Sequence, residues 1–395
     1  MAKTVKVPVT PNVLAWARRS ACVTIEDAAK AASVDPKRID DWENGVDAPS
    51  LAMLRKLAVK YKRPLAVLLL PEPPRDFAAL RDFRRLVASE AAIPAKVASE
   101  IRIAYERREI ALEMLRDTGD EPIPFDLKVH LDDDPEAAAK KFRRYFAVDQ
   151  AQQLQWARRS VVFESWRSKI EAKGVLVFVM GGSHGPLVRQ VRGFAIAAGT
   201  LPVVAVNGRD KTNGRTFTLL HECAHVALGQ AVVENDTTRY SRLPAGDKKI
   251  ERFCNAVAAA TLMPREAVEG IASRQQKGPH SEWADHEINA AAEYLGVSRE
   301  AFLLRAVELK FASARFYIAK RAQYAAEYAK MDEPSPVRTP IAPYKTVLGR
   351  YGRPYARSVL NSYQERRITM SDAAGYLDVD AKHIDYISRQ AFKGV

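Results

Sequence analysis

Apolar residues recur every three or four positions through most of this chain, which is the period of an α-helix. Four short stretches carry it within the first 75 residues: Asn12–Ser20, Thr24–Ala32, Asp35–Trp42 and Ser50–Tyr61. Thr24 with Asp27 has the form of a capping box, and Ser50 stands as an N-cap. Ser33-Val34-Asp35-Pro36 leaves a turn of about three or four residues between the second and third helices, the length a helix-turn-helix needs. PLAVLLLPEPP then closes the unit, its prolines marking a boundary.

Residues 77–170 are expected to be helical and charged, with a turn-rich break at DTGDEPIPFD. From Gly174 the period changes. GVLVFVMG and LPVVAVNG are short β-branched runs ended by glycine and predict strands, with RGFAIAAG between them as a third. Two helices follow, one containing HECAH and one over about Asp247–Met263 that Pro264 stops. Beyond EINAAAEYLGVSREAFLLRAVEL a basic helix runs to about Lys330, SPVRTPIAP forms a linker, and the remainder is a small helical, basic module. No repeat of fixed period is present. The domains expected are 1–75, 76–170, 171–310 and 311–395.

At 395 residues the chain is long enough for two to four domains, and 47% hydrophobic content can build their cores. MAKTVKVPVT has no apolar run of a secretory signal, and PLAVLLLP is too short to span a bilayer. Three cysteines, Cys22, Cys223 and Cys254, imply no disulfide framework. A reducing, cytoplasmic location without membrane attachment is therefore expected. The net charge of +13 points to an anionic partner, nucleic acid above all, or to a solvated basic surface. Residues 1–75 hold 13 basic and 8 acidic side chains and residues 309–395 hold 15 and 8, so the ends carry nearly all the excess.

The nearly neutral middle contains Thr218–Gly229, TLLHECAHVALG. On a helix His221 and His225 lie about 40° apart and one turn up, so both imidazoles can reach one ion. Glu222 sits about 100° to one side, placed to hold a water on that ion. This is the hydrolytic H-E-x-x-H arrangement. Phe217, Leu220, Ala224 and Leu228 form an apolar stripe that both histidines follow, and a buried imidazole needs a partner. A catalytic zinc takes a third protein ligand. Glu234, Asp236, Asp247, Glu251, Glu266, Glu269, His280 and His286 are candidates. Glu251 stands out because it shares a helical ridge with Cys254, Ala258 and Leu262. An acid there also favours the helix dipole, so pattern alone leaves both roles open. Cys223, about 200° from His221, is read as a core residue.

RTFTLLHECAHVALG, followed by Glu251 26 residues after His225 and then by ERFCNAVAAATLMP, resembles the ImmA/IrrE-type zinc metallopeptidases. In that family an R-x-F-T segment leads into H-E-x-x-H, and an E-x-x-A-N-x-F-A-x-x-L-M-P helix supplies the third ligand. Cys254 and Val257 depart from that pattern. The resemblance makes Glu251 the third ligand beside His221 and His225, with Zn²⁺ the expected ion and Mn²⁺ the other metal this donor set tolerates. It makes Glu222 the catalytic base; Tyr240, His280 and Arg215 are candidates to steady the oxyanion. It implies an α+β, mostly helical fold: an all-α N-terminal helix-turn-helix, a zincin-like central domain with a short twisted sheet, and a helical C-terminal region.

LAWARRSACVTIEDAAKAASVDPKRIDDWENG resembles the XRE-type helix-turn-helix that precedes the peptidase in many family members. Lys37 and Arg38 open its second helix and are the expected base readers, while Asp40, Asp41 and Glu43 bring charge that repels phosphate. YGRPYARSVLNSYQERRITMSDAAGYLDVDAKHIDYI is similar to the ends of longer members, its tyrosines core anchors or stacking platforms. The expected activity is zinc-dependent endoproteolysis of a transcriptional repressor during stress or a mobile-element response, with DNA a second partner and a homodimer one option. The alternatives are a non-catalytic transcription regulator and an antitoxin-like protein that uses the peptidase fold as sensor or docking module.

Overall fold

The computed structural model describes residues 6–21, 23–61, 63, 65–73, 94–158, 161–181, 185–229, 232–234, 245–331 and 342–392. Cys22, Asp236, Tyr240, the helical reading of 77–93 and most of the Ser335–Pro343 linker lie outside the described residues. The chain divides into two compact units, Met1–Tyr105 and Glu106–Val395.

In the first unit, α1 (Pro11–Ser20), α2 (Ile25–Ala32), α3 (Pro36–Glu43) and α4 (Leu51–Tyr61) follow the predicted pattern. Local chemistry sets their starts. Thr24 Oγ1 accepts from Asp27 N at 3.1 Å, an Asp35 carboxylate oxygen accepts from Lys37 N at 2.9 Å, and Ser50 Oγ accepts from Met53 N at 3.3 Å. These are N-caps in the ordinary sense, each satisfying an otherwise orphaned amide. Leu14, Ala28, Ala32, Ile39, Trp42, Leu54, Leu57 and Tyr61 form the core between the helices. Helix α5 (Ala95–Thr118) begins in this unit. Its Arg102 donates to the carbonyls of Ser20 and Tyr61, the last residues of α1 and α4.

The second unit opens with α6 (Pro135–Tyr145), α7 (Gln150–Arg158) and α8 (Val162–Glu171), and then enters the sheet. Strands β1 (Leu176–Met180), β2 (Gly193–Ile196), β3 (Val203–Asn207) and β4 (Val232–Glu234) stand in the order β1-β3-β2-β4. β1 pairs parallel with β3, whereas β2 runs antiparallel to β3 and β4. All five residues of β3 are buried, as its β-branched run predicts for a central strand. Helix α9 (Thr212–Ala227) packs on β2 and β3, and α10 (Ala245–Leu262) packs on α9. Then come α11 (Arg265–Arg274), α12 (Asp285–Leu295), α13 (Arg299–Glu308) and α14 (Ala314–Met331). The C-terminal helices are α15 (Pro343–Tyr351), α16 (Arg353–Gln364), α17 (Met370–Leu377) and α18 (Ile384–Ala391). The fold is α+β and mostly helical, as expected.

Two polar devices hold this unit rigid. The carbonyls at the end of α10 have no partner within the helix, and side chains from three other elements satisfy them. Arg143 donates to Thr261 O at 2.6 Å, Gln153 to Leu262 O at 2.8 Å and Arg305 to Met263 O at 3.1 Å. Burial pulls the Arg143 guanidinium down to about 10, which leaves it charged at neutral pH. On the opposite side, Arg167 pairs with Glu171 at 2.9 Å and donates at 2.6 Å to Val177 O of β1 and to Gly349 O of α15. Around it Tyr351 and Tyr355 close edge-on over Phe178 of β1, with ring centroids 6.4 and 5.7 Å away. Both tyrosines are buried, which makes them core anchors.

The Arg167 and Glu171 side chains are only 3% and 6% exposed, so removing one partner strands a charge in a dry interior. Glu171→Ala is expected to destabilise this unit by about 3–5 kcal/mol in urea unfolding, and Arg167→Met with Glu171→Leu to recover most of that loss. Equal destabilisation by the single and double changes would contradict this account of the pair.

Candidate metal centre

Helix α9 starts where β3 ends. Arg192 bridges Asp210 at 3.2 Å, and the Asp210 carboxylate accepts from Lys211 N at 2.8 Å, so the turn enters the helix at a set angle. Among its last residues, Leu219, Leu220, Cys223 and Ala224 are fully buried, and so are His221, Glu222 and His225. Three titratable groups in a row of wholly buried positions need compensation.

The two imidazoles converge. His221 Nε2 and His225 Nε2 are 3.0 Å apart, with ring centroids at 4.7 Å and planes inclined by 67°. The Phe217 ring lies nearly parallel to that of His221, 6.4 Å away, and restricts its rotation. From α10, Glu251 places Oε2 3.3 Å from His221 Nε2 and Oε1 3.4 Å from His225 Nε2. One ligand atom from each of His221, His225 and Glu251 lies within 4.8 Å of the others, a group able to hold a metal ion.

Burial pulls the pKa of His225 below the ordinary imidazole value, with His221 adding to the effect and Glu251 opposing it. For Glu251 burial pushes upward, but the hydrogen bonds with both histidines outweigh it and hold the carboxyl well below the usual carboxylate range. The result is a carboxylate that favours its ionised form beside a buried imidazole that favours its neutral form. A divalent cation would supply the missing charge, and two nitrogens with one carboxylate oxygen are the donor set of catalytic zinc sites that keep a position open. The residues present therefore fit the metal.

Among the described residues, no other candidate ligand joins this group. Glu266 pairs with Lys140 at 2.8 Å, Glu269 faces Arg265 at 3.8 Å, and His280 and His286 are exposed. Glu234 lies in β4, opposite Gly193 in the backbone register. Cys223 and Cys254 are both buried, and burial raises the Cys223 pKa. The Arg215 guanidinium sits 4.9 Å over the Phe163 ring and donates to Thr212 Oγ1. Pattern reading left two features unseen: the stacking of Phe217 on His221, and the approach of Gly193 to Glu222. A glycine inside the predicted strand RGFAI was the available signal for the second.

Residues 170–307 match the model of the IrrE N-terminal-like domain of the peptidase M78 family, and residues 14–68 match a helix-turn-helix model. The chain is thus similar to an IrrE N-terminal-like domain over residues 170–307 and to a helix-turn-helix over residues 14–68. No curated protein matches it. Among the described residues, no helix is long and apolar enough to cross a membrane.

In the helix-turn-helix the exposed start of α3 presents Lys37 and Arg38. Arg38 stacks 5.4 Å over the Trp42 ring and reaches Asp47 at 3.6 Å. Glu43 does not add to the outward negative charge as the sequence suggested. Arg18 grips both of its oxygens, at 2.6 and 2.8 Å, and the Glu43 side chain is 7% exposed.

Adding Zn²⁺ to chelator-stripped protein is expected to raise Tm, because an ion that binds only the folded state stabilises it by mass action. The same titration on His221→Ala or Glu251→Ala should leave Tm unmoved; a full shift in either variant would remove that residue from the ligand set.

Proposed function

We propose that the chain is a zinc-dependent endopeptidase whose substrate is a transcriptional repressor, cleaved in the cytoplasm during stress or a mobile-element response. The observation that carries this reading is the convergence of His221, His225 and Glu251 with a glutamate adjacent in sequence to the first histidine. Their chemistry supports it. His221 and His225 would hold the ion, and Glu251 would supply the negative charge that keeps a divalent cation in an apolar interior. Bound zinc supplies Lewis acidity, which polarises a peptide carbonyl and brings the pKa of water toward neutrality. Glu222 accepts the proton of the attacking water on its carboxylate and returns it to the leaving amine nitrogen. Mn²⁺ suits the same donors.

The helix-turn-helix adds DNA as a second partner. Lys37 and Arg38 at the start of α3 are the residues proposed to meet base edges and phosphates. The neutralisation of Glu43 by Arg18 favours this, since it removes one repelling charge from the helix.

One observation favours a second reading. His221, Glu222 and His225 are wholly buried, and the Glu251 side chain keeps 13% exposure. A centre so enclosed suits a transcription regulator that senses a metal without turnover.

Glu222→Gln separates the two. It is expected to retain one Zn²⁺ per chain and to lose about 10²–10⁴-fold in proteolysis. The assay is the appearance of a new N-terminus within a DNA-binding repressor in cells expressing the wild type but not the variant. Metal retained by both proteins, with no such cleavage by either, would support the sensor instead. For the N-terminal domain, Lys37→Ala and Arg38→Ala should each weaken binding to upstream DNA and lower the salt slope of log K by about 1 where the contact is to phosphate. Unchanged slopes in both would remove α3 from the interface.

A further inference from the structure

We propose that Gly193 of β2 is a positioning residue for Glu222: the bare strand backbone at this glycine sets where the Glu222 carboxylate rests. The inference depends on Glu222 being the base, as proposed above.

Glycine weakens a strand, through lost chain entropy and the absence of a packing side chain, so a glycine at a fully buried strand position needs a reason. β2 has only four residues, all buried. Gly193 pairs with Val206 on one side and Glu234 on the other, which fixes its backbone from both edges. Its remaining face meets α9. A Cβ built on Gly193 would lie 2.5 Å from Thr218 Cγ2, 2.9 Å from Ala205 O and 2.9 Å from Glu222 Oε1. Thr218 and Glu222 are four residues apart and share one helix face, so the bare backbone at Gly193 lies against both side chains, the carboxylate among them.

The three neighbours differ in freedom to retreat. Ala205 O belongs to the backbone of β3. Thr218 is β-branched, stiff at χ1 and 2% exposed. Glu222 presents the far end of a flexible side chain. A methyl group at 193 therefore displaces the carboxylate or wedges the strand from the helix. Neither histidine Nε2 nor either Glu251 oxygen is among the three nearest atoms of that methyl. The glycine thus acts on the base and leaves the ligands in place. A shift of about 1 Å in a catalytic group is enough to lose about 10²-fold in rate.

The test uses the full chain loaded with Co²⁺ in place of zinc, comparing wild type, Thr218→Ser, Gly193→Ala/Thr218→Ser and Glu222→Gln. Thr218→Ser removes the tightest contact and so relieves the packing strain. The double variant is expected to bind one Co²⁺ per chain with wild-type affinity and to melt within a few degrees of Thr218→Ser. Its visible Co²⁺ spectrum should move in the direction seen with Glu222→Gln. With fluorescein-labelled casein as the probe, kcat should fall about 10- to 100-fold with KM little changed. A double variant with the wild-type spectrum and wild-type kcat would overturn the inference and reduce Gly193 to a packing residue. Wild-type protein that takes up no Co²⁺ would instead overturn the proposed function, and this inference with it. Cobalt uptake without casein cleavage leaves the spectrum to decide, for or against.

Discussion

An ionised carboxylate held against two buried imidazoles is the interaction on which the IrrE-like domain depends. Glu251 and the histidines come from different helices that pack on one another. In a medium of low polarity such a group is costly unless a cation completes it. The surrounding structure can be understood as the frame that keeps three atoms within one coordination sphere. The sheet covers one side of α9, α10 lies on another, and the Phe217 ring holds the imidazole of His221.

That frame is tied at its ends by buried side-chain hydrogen bonds, where a helix is most inclined to fray. Arg143, Gln153 and Arg305 each take one of three successive carbonyls where α10 finishes. Bonds of this kind add modestly to stability but are expensive to lose once their partners are buried. Their effect at the metal centre is positional: a helix fixed at its last turn cannot slide, so Glu251 keeps its height relative to His221 and His225. Arg167 has the corresponding place beside β1, joining α8, the strand and α15 through one guanidinium. Arginine suits these positions because its planar fork can satisfy several acceptors at once.

The N-terminal unit solves a different electrostatic problem. A helix proposed to approach nucleic acid carries Asp40, Asp41 and Glu43, and the structure disposes of one of these internally by the bidentate pair with Arg18. Arg38 is kept at the surface, flattened on Trp42 and within reach of Asp47. An arginine already oriented by an aromatic ring loses less entropy when it meets a new acceptor.

Much of this was legible in the sequence because helical periodicity, capping residues and the H-E-x-x-H spacing are local properties. The four N-terminal helices, the three short strands and the pairing of His221 with His225 follow from neighbours a few residues apart, and from the fact that four residues make about one turn. Glu251 was readable from the residues only as a candidate, since an acid at a helix start has an ordinary use in the dipole; the family resemblance pointed to it, and the fold brought its oxygens to 3.3 and 3.4 Å from the imidazoles. The grip of Arg18 on Glu43, the capping of α10 by Arg143, Gln153 and Arg305, and the approach of Gly193 to Glu222 join positions 25 to 118 residues apart or different elements altogether. No periodicity encodes such contacts. They exist only once the chain has packed, because packing alone decides which charges meet and which backbone comes close enough to leave no room for a side chain.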